Sequence, residues 1–361
     1  MKVLIVNPIL YTSETKKIKK VPSIKDTMIY YLCLAFLDKG IDITLAAAED
    51  YRPNENEQYP FEIIWMKTKI KKLFAPNVFP YCPELKKIIK QTHYDLIISS
   101  EVFSLNSLML SIHSKGNLIV WHELAKHNNM MHKIPSHIWY SVIAKLFFKN
   151  TLIVPRSEKA KAFISKYCNN VSNTVVDHGV NLAQFEFCRE KRNHFIVCSQ
   201  LNKRKRIDKI LESFKEYQIK YNSSSKLYII GEGDEEDALK RLSKKLKIEE
   251  NVIFTGKLSH SELMGKLKTA RALLIYTEKD NNMVSIVEAI AVGTPVITTS
   301  VPYNTSYIKA YRLGIVNDNW NADTMNEIYL NSDYITNCEA YRKKLSTLNR
   351  VETFINISNN L

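Results

Sequence analysis

A polar loop followed by an apolar helix, within residues 276–297, holds the densest group of side chains suited to chemistry. We expect the helix to begin near Asn282 or Met283, because Asn281 and Asn282 are residue types that cap helix N-termini. Amides at that positive helix end form a site for a phosphate group or a sugar hydroxyl. Glu288 follows among apolar residues, where an unpaired carboxylate is costly to bury. A vicinal diol such as a ribose would satisfy both of its oxygens.

Glycine placement indicates where a ligand would approach the backbone. The chain has 9 glycines, fewer than the roughly 7% of average usage. Gly231, Gly233 and Gly256 each follow a predicted strand, at the sheet edge where open α/β folds bind ligands. This placement favours a ligand site in the C-terminal half. Tight turns without a ligand are the alternative, and for any single glycine they are the favoured interpretation.

Basic residues and a histidine also follow predicted strands. The run Lys203–Arg206 comes after strand 195–198, and a solvated helix start is its alternative explanation. His122 ends the strand 118–122. His122 and His127 are one residue too far apart for the zinc motif His-Glu-x-x-His, so we exclude a zinc site there. The six cysteines have no metal-ligand spacing, and we expect reduced thiols in a cytoplasmic protein.

Short apolar runs alternate with amphipathic helices along the whole chain. Such alternation predicts parallel sheets covered on both faces, in two doubly wound α/β domains. The predicted strands are Val3–Val6, Ile43–Ala46, Glu62–Trp65, Asp95–Ser99, Leu118–Trp121, Leu152–Pro155, Thr174–Val176, Phe195–Cys198, Leu227–Ile230, Val252–Phe254, Ala272–Tyr276 and Pro295–Thr298. The predicted helices include Lys25–Lys39, Ser104–Ser114, Ser157–Tyr167, Glu235–Leu246, Ser261–Thr269 and a tail helix from Ala340 to Ile357.

Length and charge set further bounds. A chain of 361 residues suits two domains. No apolar run is long enough to cross a bilayer, and the N-terminus resembles a first strand rather than a signal peptide. The net charge is +14, and residues 1–185 hold 24 Lys and Arg against 15 Asp and Glu. An anionic partner for the N-terminal half and a solvated lysine-rich surface are equally compatible with this charge.

Two acids separated by seven residues, Asp280 and Glu288, are followed by Gly293-Thr294-Pro295-Val296. In this motif the chain resembles glycosyltransferase family 4, whose members share the GT-B fold. Asp280 stands where the family has glutamate. Other matching segments, in the family's order, are 175–181, 227–233 and 251–258. The resemblance implies two Rossmann-like doubly wound domains facing a cleft.

The resemblance also implies residue roles. Lys205 and Gln200, the latter in place of the usual arginine, would hold the donor diphosphate. Arg204 or Arg206 could supply the missing charge. His122 would lie near the donor sugar, and the backbone after Gly256 would meet the nucleobase. The implied catalytic residues are His122, Lys205 and Asp280. The implied donor-binding residues are Gln200, Lys205, Lys257, Leu258, Asn281, Asn282, Met283, Val284 and Glu288.

The implied reaction is a retaining, metal-independent hexosyl transfer from a UDP- or GDP-sugar, which is a substrate rather than a cofactor. Residues 1–187 are expected to form the acceptor-binding domain, 188–338 the nucleotide-sugar-binding domain, and 339–361 a helix able to return to the N-terminal domain. The acceptor would be a glycan or lipid-linked, in surface polysaccharide synthesis. We expect no nucleic-acid partner, because no recognisable module accompanies the charge.

Peripheral contact with the anionic inner face of the plasma membrane is one interpretation of three basic and apolar segments, Ile134–Lys149, Lys67–Phe74 and Lys16–Lys20. A core-packed helix beside a basic surface is the other. Two alternatives to a transferase also stay open. A GT-B nucleotide-sugar epimerase would act without an acceptor. A non-catalytic partner subunit would explain the departures from the family's pattern at Gln200, Asp280 and Ser23.

Overall fold

The computed structural model describes residues 1–11, 18, 23–25, 27–55, 57–114, 116–128, 130–280 and 282–359. Asn281, and the segment Lys16–Lys20 apart from Ile18, lie outside the described residues. The chain divides into two compact units, which are Met1–Gly179 with Thr347–Leu361, and Val180–Ser346. Each unit has its own parallel sheet.

The first unit is built on a six-stranded parallel sheet in the order β3-β2-β1-β4-β5-β6. Its strands are β1 Lys2–Val6, β2 Asp42–Ala48, β3 Glu62–Met66, β4 Leu96–Ser100, β5 Leu118–His122 and β6 Leu152–Pro155. Its helices before the second unit are α1 Met28–Asp38, α2 Leu85–Gln91, α3 Leu105–His113, α4 Ile134–Ile138, α5 Lys145–Phe147 and α6 Glu158–Ile164, with a π-helical segment Trp139–Ala144 between α4 and α5. Apolar runs fill these strands because helices cover the sheet.

The second unit repeats this plan with the strand order β12-β11-β10-β7-β8-β9. Its strands are β7 His194–Cys198, β8 Lys226–Ile230, β9 Val252–Gly256, β10 Leu273–Leu274, β11 Val296–Thr298 and β12 Gly314–Val316. Its helices are α7 Ile207–Lys220, α8 Glu236–Lys245, α9 His260–Leu267, α10 Val284–Ala291, α11 Thr305–Ala310, α12 Ala322–Leu330 and α13 Asp333–Arg342. The doubly wound arrangement places the polar residues after β7, β8, β9 and β10 at one sheet edge.

The chain changes unit at Gly179, earlier than the predicted join after residue 187. The segment that follows belongs to the second unit because its backbone bonds there. The Val180 amide donates to the Leu345 carbonyl (2.8 Å) and the Cys188 amide to the Val292 carbonyl (3.1 Å).

The tail is two helices rather than the single predicted one. After α13 comes a 3-10 turn, Lys343–Leu345, and then helix α14, Thr347–Ser358. Helix α14 belongs to the first unit, where Val351 and Phe354 are buried in the core. Lys39, which caps the C-terminus of α1, donates to Glu352 at 2.5 Å.

Every predicted strand except one is present. Thr174–Val176 is irregular, and that prediction was wrong. The Val176 amide does donate to Pro155 (2.9 Å), but its carbonyl accepts from the Trp121 indole (2.6 Å), so no strand ladder continues. Strand β12 was not predicted, because three residues give too short an apolar run to recognise.

Candidate functional site

A buried lysine and an aspartate pair beside the end of β7. Lys205 ends a 3-10 turn, and its ammonium donates to Asp280 Oδ2 at 2.6 Å. Only 9% of the lysine side chain and 15% of the aspartate side chain are exposed. The same carboxylate oxygen accepts from the Thr277 hydroxyl (3.0 Å) and from Arg204 (3.2 Å). Two predicted catalytic residues, 75 positions apart in sequence, therefore form one ion pair.

Arg206 fixes the shape of the turn that carries Lys205. Its backbone is left-handed, with φ of 43°, which separates the 3-10 turn from α7. Its guanidinium donates to both oxygens of Asp208 and, at 2.7 Å, to Glu278 after β10. These hydrogen bonds raise the pKa of Arg206 above its ordinary value. Arg206 therefore ties two loops together instead of replacing the charge absent at exposed Gln200.

Glu288 lies on α10, the helix that follows the loop carrying Asp280. It is half-buried on α10, and its Oε1 is 3.6 Å from Nε2 of His260. Burial raises the pKa of the Cys198 thiol, at the end of β7, to about 12. The charge of Glu288 acts in the same direction, whereas the charge of Lys205 opposes it. Asp280, which holds the Lys205 ammonium, precedes the helix that carries Glu288, so the three residues belong to adjoining parts of the second unit.

Helix α10 begins without the predicted asparagine cap. Met283 is the N-cap residue, and its side chain makes no capping bond. Its amide instead donates to the buried side chain of Asn304 at 2.7 Å. Asn282 precedes the cap, and the exposed Val284 is the first helical residue. The prediction was wrong because the acceptor at this helix start is the side-chain oxygen of Asn304, which is distant in sequence.

The glycines after β8 make room for protein backbone. A Cβ on Gly231 would lie 1.9 Å from the Ser199 carbonyl oxygen, and one on Gly233 would lie 2.3 Å from that of Leu201. These residues flank Gln200, so the two glycines position the loop after β7. Gly256 differs, because its φ is 66° and only a side-chain oxygen 3.8 Å away would meet a Cβ. Lys257 and Leu258 follow it, the first exposed and the second packed against the core.

A hollow of about 450 Å³ lies beside the basic turn of the second unit. It is lined by Asn202, Lys203, Arg206, Ile207, Asp208, Glu235, Leu239 and Glu278. Lys205, Asp280 and Glu288 are not among its lining residues. In the part of the chain that the structure describes, no three His, Cys, Asp or Glu side chains are grouped so that they could hold a metal ion.

A cavity of about 190 Å³ opens in the first unit. It lies after β1 and β4, where the strand order reverses direction, which is the usual ligand position in doubly wound sheets. Its lining residues are Asn7, Pro8, Ile9, Val78, Phe79, Pro80, Ser100, Glu101, Phe103, Ser104, Glu123 and Arg156.

Glu123 and Arg156 form the charged wall of this cavity. Arg156 Nη1 donates to Glu123 Oε2 at 3.0 Å, and its guanidinium stacks 3.7 Å over the Trp121 ring. Burial alone would raise the pKa of Glu123, but His178 and Arg156 overcome it and lower that pKa to about 2. The wall therefore keeps a negative carboxylate fixed beside a cation.

His122 lies beneath the cavity and does not line it. Its side chain is fully buried, near Tyr140 and Phe163. Its Nδ1 is 3.2 Å from Oε2 of Glu101, which does line the cavity. Because no atom of the His122 side chain is exposed, His122 does not make the predicted contact with a donor sugar in this structure. Glu101, whose backbone φ is 67°, stands between the histidine and the open space.

Sequence reasoning missed Glu101, Glu123, Arg156 and Asn304. For the first three a signal existed, because each follows directly after β4, β5 or β6 and polar residues at strand ends commonly face ligands. Asn304 had no local signal, since its partner is 21 residues away.

The family described as "Glycosyl transferases group 1" matches residues 182–345, which is almost all of the second unit. The chain has the GT-B fold, and its second unit is similar to the group 1 glycosyl transferases. Sucrose-phosphate synthase from Thermosynechococcus elongatus is similar over 100% of both chains, with a TM-score of 0.69 and 14% identity. HepE from Anabaena, in complex with UDP, is similar over 100% of both chains, with a TM-score of 0.67 and 13% identity. The predicted GT-B fold is confirmed, and the match of the second unit supports the predicted glycosyltransferase activity.

One curated relative is named as the synthase of a glucosylated diacylglycerol. Alpha-monoglucosyldiacylglycerol synthase from Streptococcus pneumoniae is 27% identical over 252 residues, which are 63% of this chain and 57% of the synthase. The aligned region thus spans a little over half the length of that relative. No helix among the described residues is both long and apolar enough to span a bilayer.

Proposed function

We propose that the protein transfers a hexosyl unit from a UDP- or GDP-sugar to a glycan or lipid-linked acceptor, with retention of anomeric configuration and without a metal ion. The domain match and the structural similarity to HepE, which was solved with UDP and with UDP-glucose, support the donor class. The name of the relative alpha-monoglucosyldiacylglycerol synthase supports a lipid-linked acceptor. We place the reaction in the cytoplasm, in surface polysaccharide synthesis.

One observation carries the donor proposal: the Lys205 ammonium lies 2.6 Å from Asp280, in the loop that leads into α10 and Glu288. A nucleoside diphosphate sugar needs a cation for its phosphates and an acceptor for its ribose hydroxyls. Lys205 supplies the cation, and Glu288 can accept from both hydroxyls of a ribose. In this arrangement the diphosphate replaces Asp280 as the partner of the ammonium, which frees Asp280 to accept from the sugar hydroxyls.

The remaining predicted donor residues fit around this pair. We place the backbone amides of Asn282 and Val284, at the start of α10, and Gln200, after β7, towards the phosphates. The Met283 amide is instead held by Asn304. The backbone of Lys257 and Leu258, after the open Gly256, meets the nucleobase. Stabilisation of the leaving diphosphate supplies most of the catalysis, because fixed cations and amides need no reorganisation as its charge develops.

In the reaction, the bond between the anomeric carbon and the diphosphate oxygen breaks and its electron pair leaves with the nucleoside diphosphate. A bond from the acceptor oxygen to the anomeric carbon forms on the same face, and the hydroxyl proton passes to a phosphate oxygen. The first-unit cavity holds the acceptor hydroxyl beside Glu123 and Arg156. Glu101 and His122 act beneath it as positioning residues.

A two-stage experiment tests the proposal. A thermal-shift screen with UDP, GDP and their common sugars comes first, and we expect one nucleotide series to raise the melting temperature. NMR then follows the anomeric proton of that donor, with and without diacylglycerol-linked acceptors. Inversion at a sugar carbon without an acceptor would instead identify an epimerase. Absence of any nucleotide binding would identify a non-catalytic subunit.

A further inference from the structure

One helical stretch of the first unit exposes an apolar stripe. From Ile134 to Phe147, helix α4, the π-helical segment and α5 run on without interruption. Residues four apart bury one face of this stretch, namely Ser136, Tyr140, Ala144 and Phe148. Residues four apart on another face are Ile134, Ile138, Val142 and Leu146, whose exposed fractions run from 48% to 66%. Four large aliphatic side chains therefore face outward in one row.

A second segment, residues 67–79, adds exposed apolar side chains to this stripe. Ile70, Leu73 and Val78 expose between 38% and 70% of their surface. Aromatic contacts join the segment to the helical stretch, since the rings of Phe79 and Trp139 are 5.4 Å apart. The two segments thus lie side by side on the first unit. Exposed apolar side chains gathered on one side of a unit are typical of an interaction site.

The charges that the two segments themselves carry are all positive. Residues 63–83 and 124–157 contain no Asp or Glu. The exposed lysines of the two segments are Lys67, Lys69, Lys71, Lys72, Lys133, Lys145 and Lys149. Lys71 pairs with Asp50 from outside the segments. We call the stripe, the second segment and these lysines the apolar–basic face.

The acceptor cavity opens beside this face. Val78 is exposed on the face and also lines the cavity. Phe79 and Phe103 line the cavity too, and both rings contact Trp139 of the helical stretch, at 5.4 Å. A molecule seated on the face could therefore extend one small group into the cavity without leaving it. At about 190 Å³ the cavity suits a single headgroup, being smaller than the roughly 300–1,000 Å³ of typical ligand pockets.

We propose that the apolar–basic face docks on an anionic lipid surface and presents the cavity to the headgroup of a lipid in that surface. Aliphatic side chains entering the interface and lysines attracted to anionic headgroups are the two terms that hold a peripheral helix on a membrane. The presentation of an acceptor headgroup rests on the proposed glycosyl transfer. The docking itself does not.

Co-sedimentation with vesicles tests the docking. The full chain is mixed with phosphatidylcholine vesicles, with and without phosphatidylglycerol, at low salt and at about 1 M salt, where charges are screened beyond about 3 Å. We expect binding to the phosphatidylglycerol vesicles at low salt, and weaker binding at high salt. The double variant Ile138→Glu/Leu146→Glu should bind at least about tenfold more weakly. Its matched control is Ile219→Glu/Leu330→Glu, two exposed aliphatic positions of the second unit.

A second pair of variants separates charge from apolar contact. Lys145→Glu/Lys149→Glu should weaken binding to phosphatidylglycerol vesicles, whereas Lys244→Glu/Lys245→Glu, exposed on α8, should leave it unchanged. Circular dichroism confirms that each variant folds. Wild type that ignores phosphatidylglycerol vesicles, or controls that lose as much binding as the face variants, would overturn the proposal.

Self-association is the competing use of such a face. Light scattering that shows a wild-type dimer, a monomeric Ile138→Glu/Leu146→Glu variant and no vesicle binding would also overturn the proposal. Nucleotide binding, measured on the same preparations by thermal shift, keeps the two proposals apart. Nucleotide binding without vesicle binding refutes the docking alone, and the reverse result refutes the glycosyl transfer alone.

Discussion

Replacing Asp280 should destabilise the second unit more than replacing Lys205, although the two side chains form one ion pair. With Lys205→Met, the carboxylate keeps its bonds from the Thr277 hydroxyl and from Arg204. With Asp280→Ala, the buried ammonium loses the carboxylate that holds it at 2.6 Å. The structure therefore predicts that the two variants lose different amounts of unfolding free energy, although each removes the same ion pair.

The size of this asymmetry follows from burial. Removing one partner of a buried ion pair costs about 3–5 kcal/mol, and an exposed pair is worth about 0–1 kcal/mol. Exposed fractions of 9% and 15% place this pair near the buried limit. We expect Asp280→Ala to lower the free energy of unfolding by about 3 kcal/mol, and Lys205→Met by about 1 kcal/mol because its partner stays bonded.

Urea unfolding followed by circular dichroism measures both values, with hydrogen exchange assigning the loss to the second unit. The exposed Asp234→Ala serves as the matched control. UDP or GDP should stabilise Asp280→Ala by more than wild type, because phosphate oxygens take the lost carboxylate's place beside the ammonium. A Lys205→Met variant at least as unstable as Asp280→Ala would refute this reasoning. So would an Asp280→Ala variant that gains no extra stability from either nucleotide.

Three further predictions concern pH, backbone and tail. Glu123 has a pKa of about 2 in the folded protein, below its ordinary value. Its contribution to the free energy of unfolding is therefore complete above about pH 5 and is lost as the pH falls towards 2. Glu123→Gln should flatten that part of an acid-unfolding curve. Gly231→Ala sets a Cβ 1.9 Å from the Ser199 carbonyl oxygen, and should cost about 3 kcal/mol or more in urea unfolding. Arg350→Met strips the buried Asp177 carboxylate of its ion-pair partner, and hydrogen exchange in the first unit should show a loss of about 3 kcal/mol.

Matched variants define what would contradict each of these. Glu249→Gln, at an exposed position, should leave the acid-unfolding curve as it is. Gly265→Ala meets nothing within 4 Å on helix α9, and should stabilise by about 0.5 kcal/mol. Arg350→Lys should recover part of the loss of Arg350→Met. Equal effects of test and control substitutions would show that the contacts described do not cause them.

The strands could be predicted because buried parallel strands are continuous apolar runs, which sequence displays directly. The direction in which each side chain points could not be predicted. Trp121 and His122 point to opposite faces of β5, yet both are buried because the sheet is covered on both sides. The pattern of polar and apolar residues along β5 therefore did not show that His122 is buried beneath the cavity. Nor did it show that Glu123, just after the strand, lines that cavity.

The donor side of the site could be predicted in part. The motif around Asp280 and Glu288 was recognisable because its spacing is local. The Lys205–Asp280 pair, the Asn304 cap and the backbone clearance at Gly231 depend on loops that meet only after folding. The separations of these contacts, 75 and 21 residues for the first two, exceed any window that a helical or strand period can inform.

Calorimetric titration of UDP and GDP into wild type and into Glu288→Gln tests the central claim most directly. If Glu288 accepts the ribose hydroxyls beside the Lys205 ammonium, one of the two nucleotides binds wild type and binds Glu288→Gln at least about tenfold more weakly, a loss of about 1.4 kcal/mol. The exposed Glu250→Gln should match wild type. Equal affinities of wild type and Glu288→Gln for that nucleotide would contradict the claim.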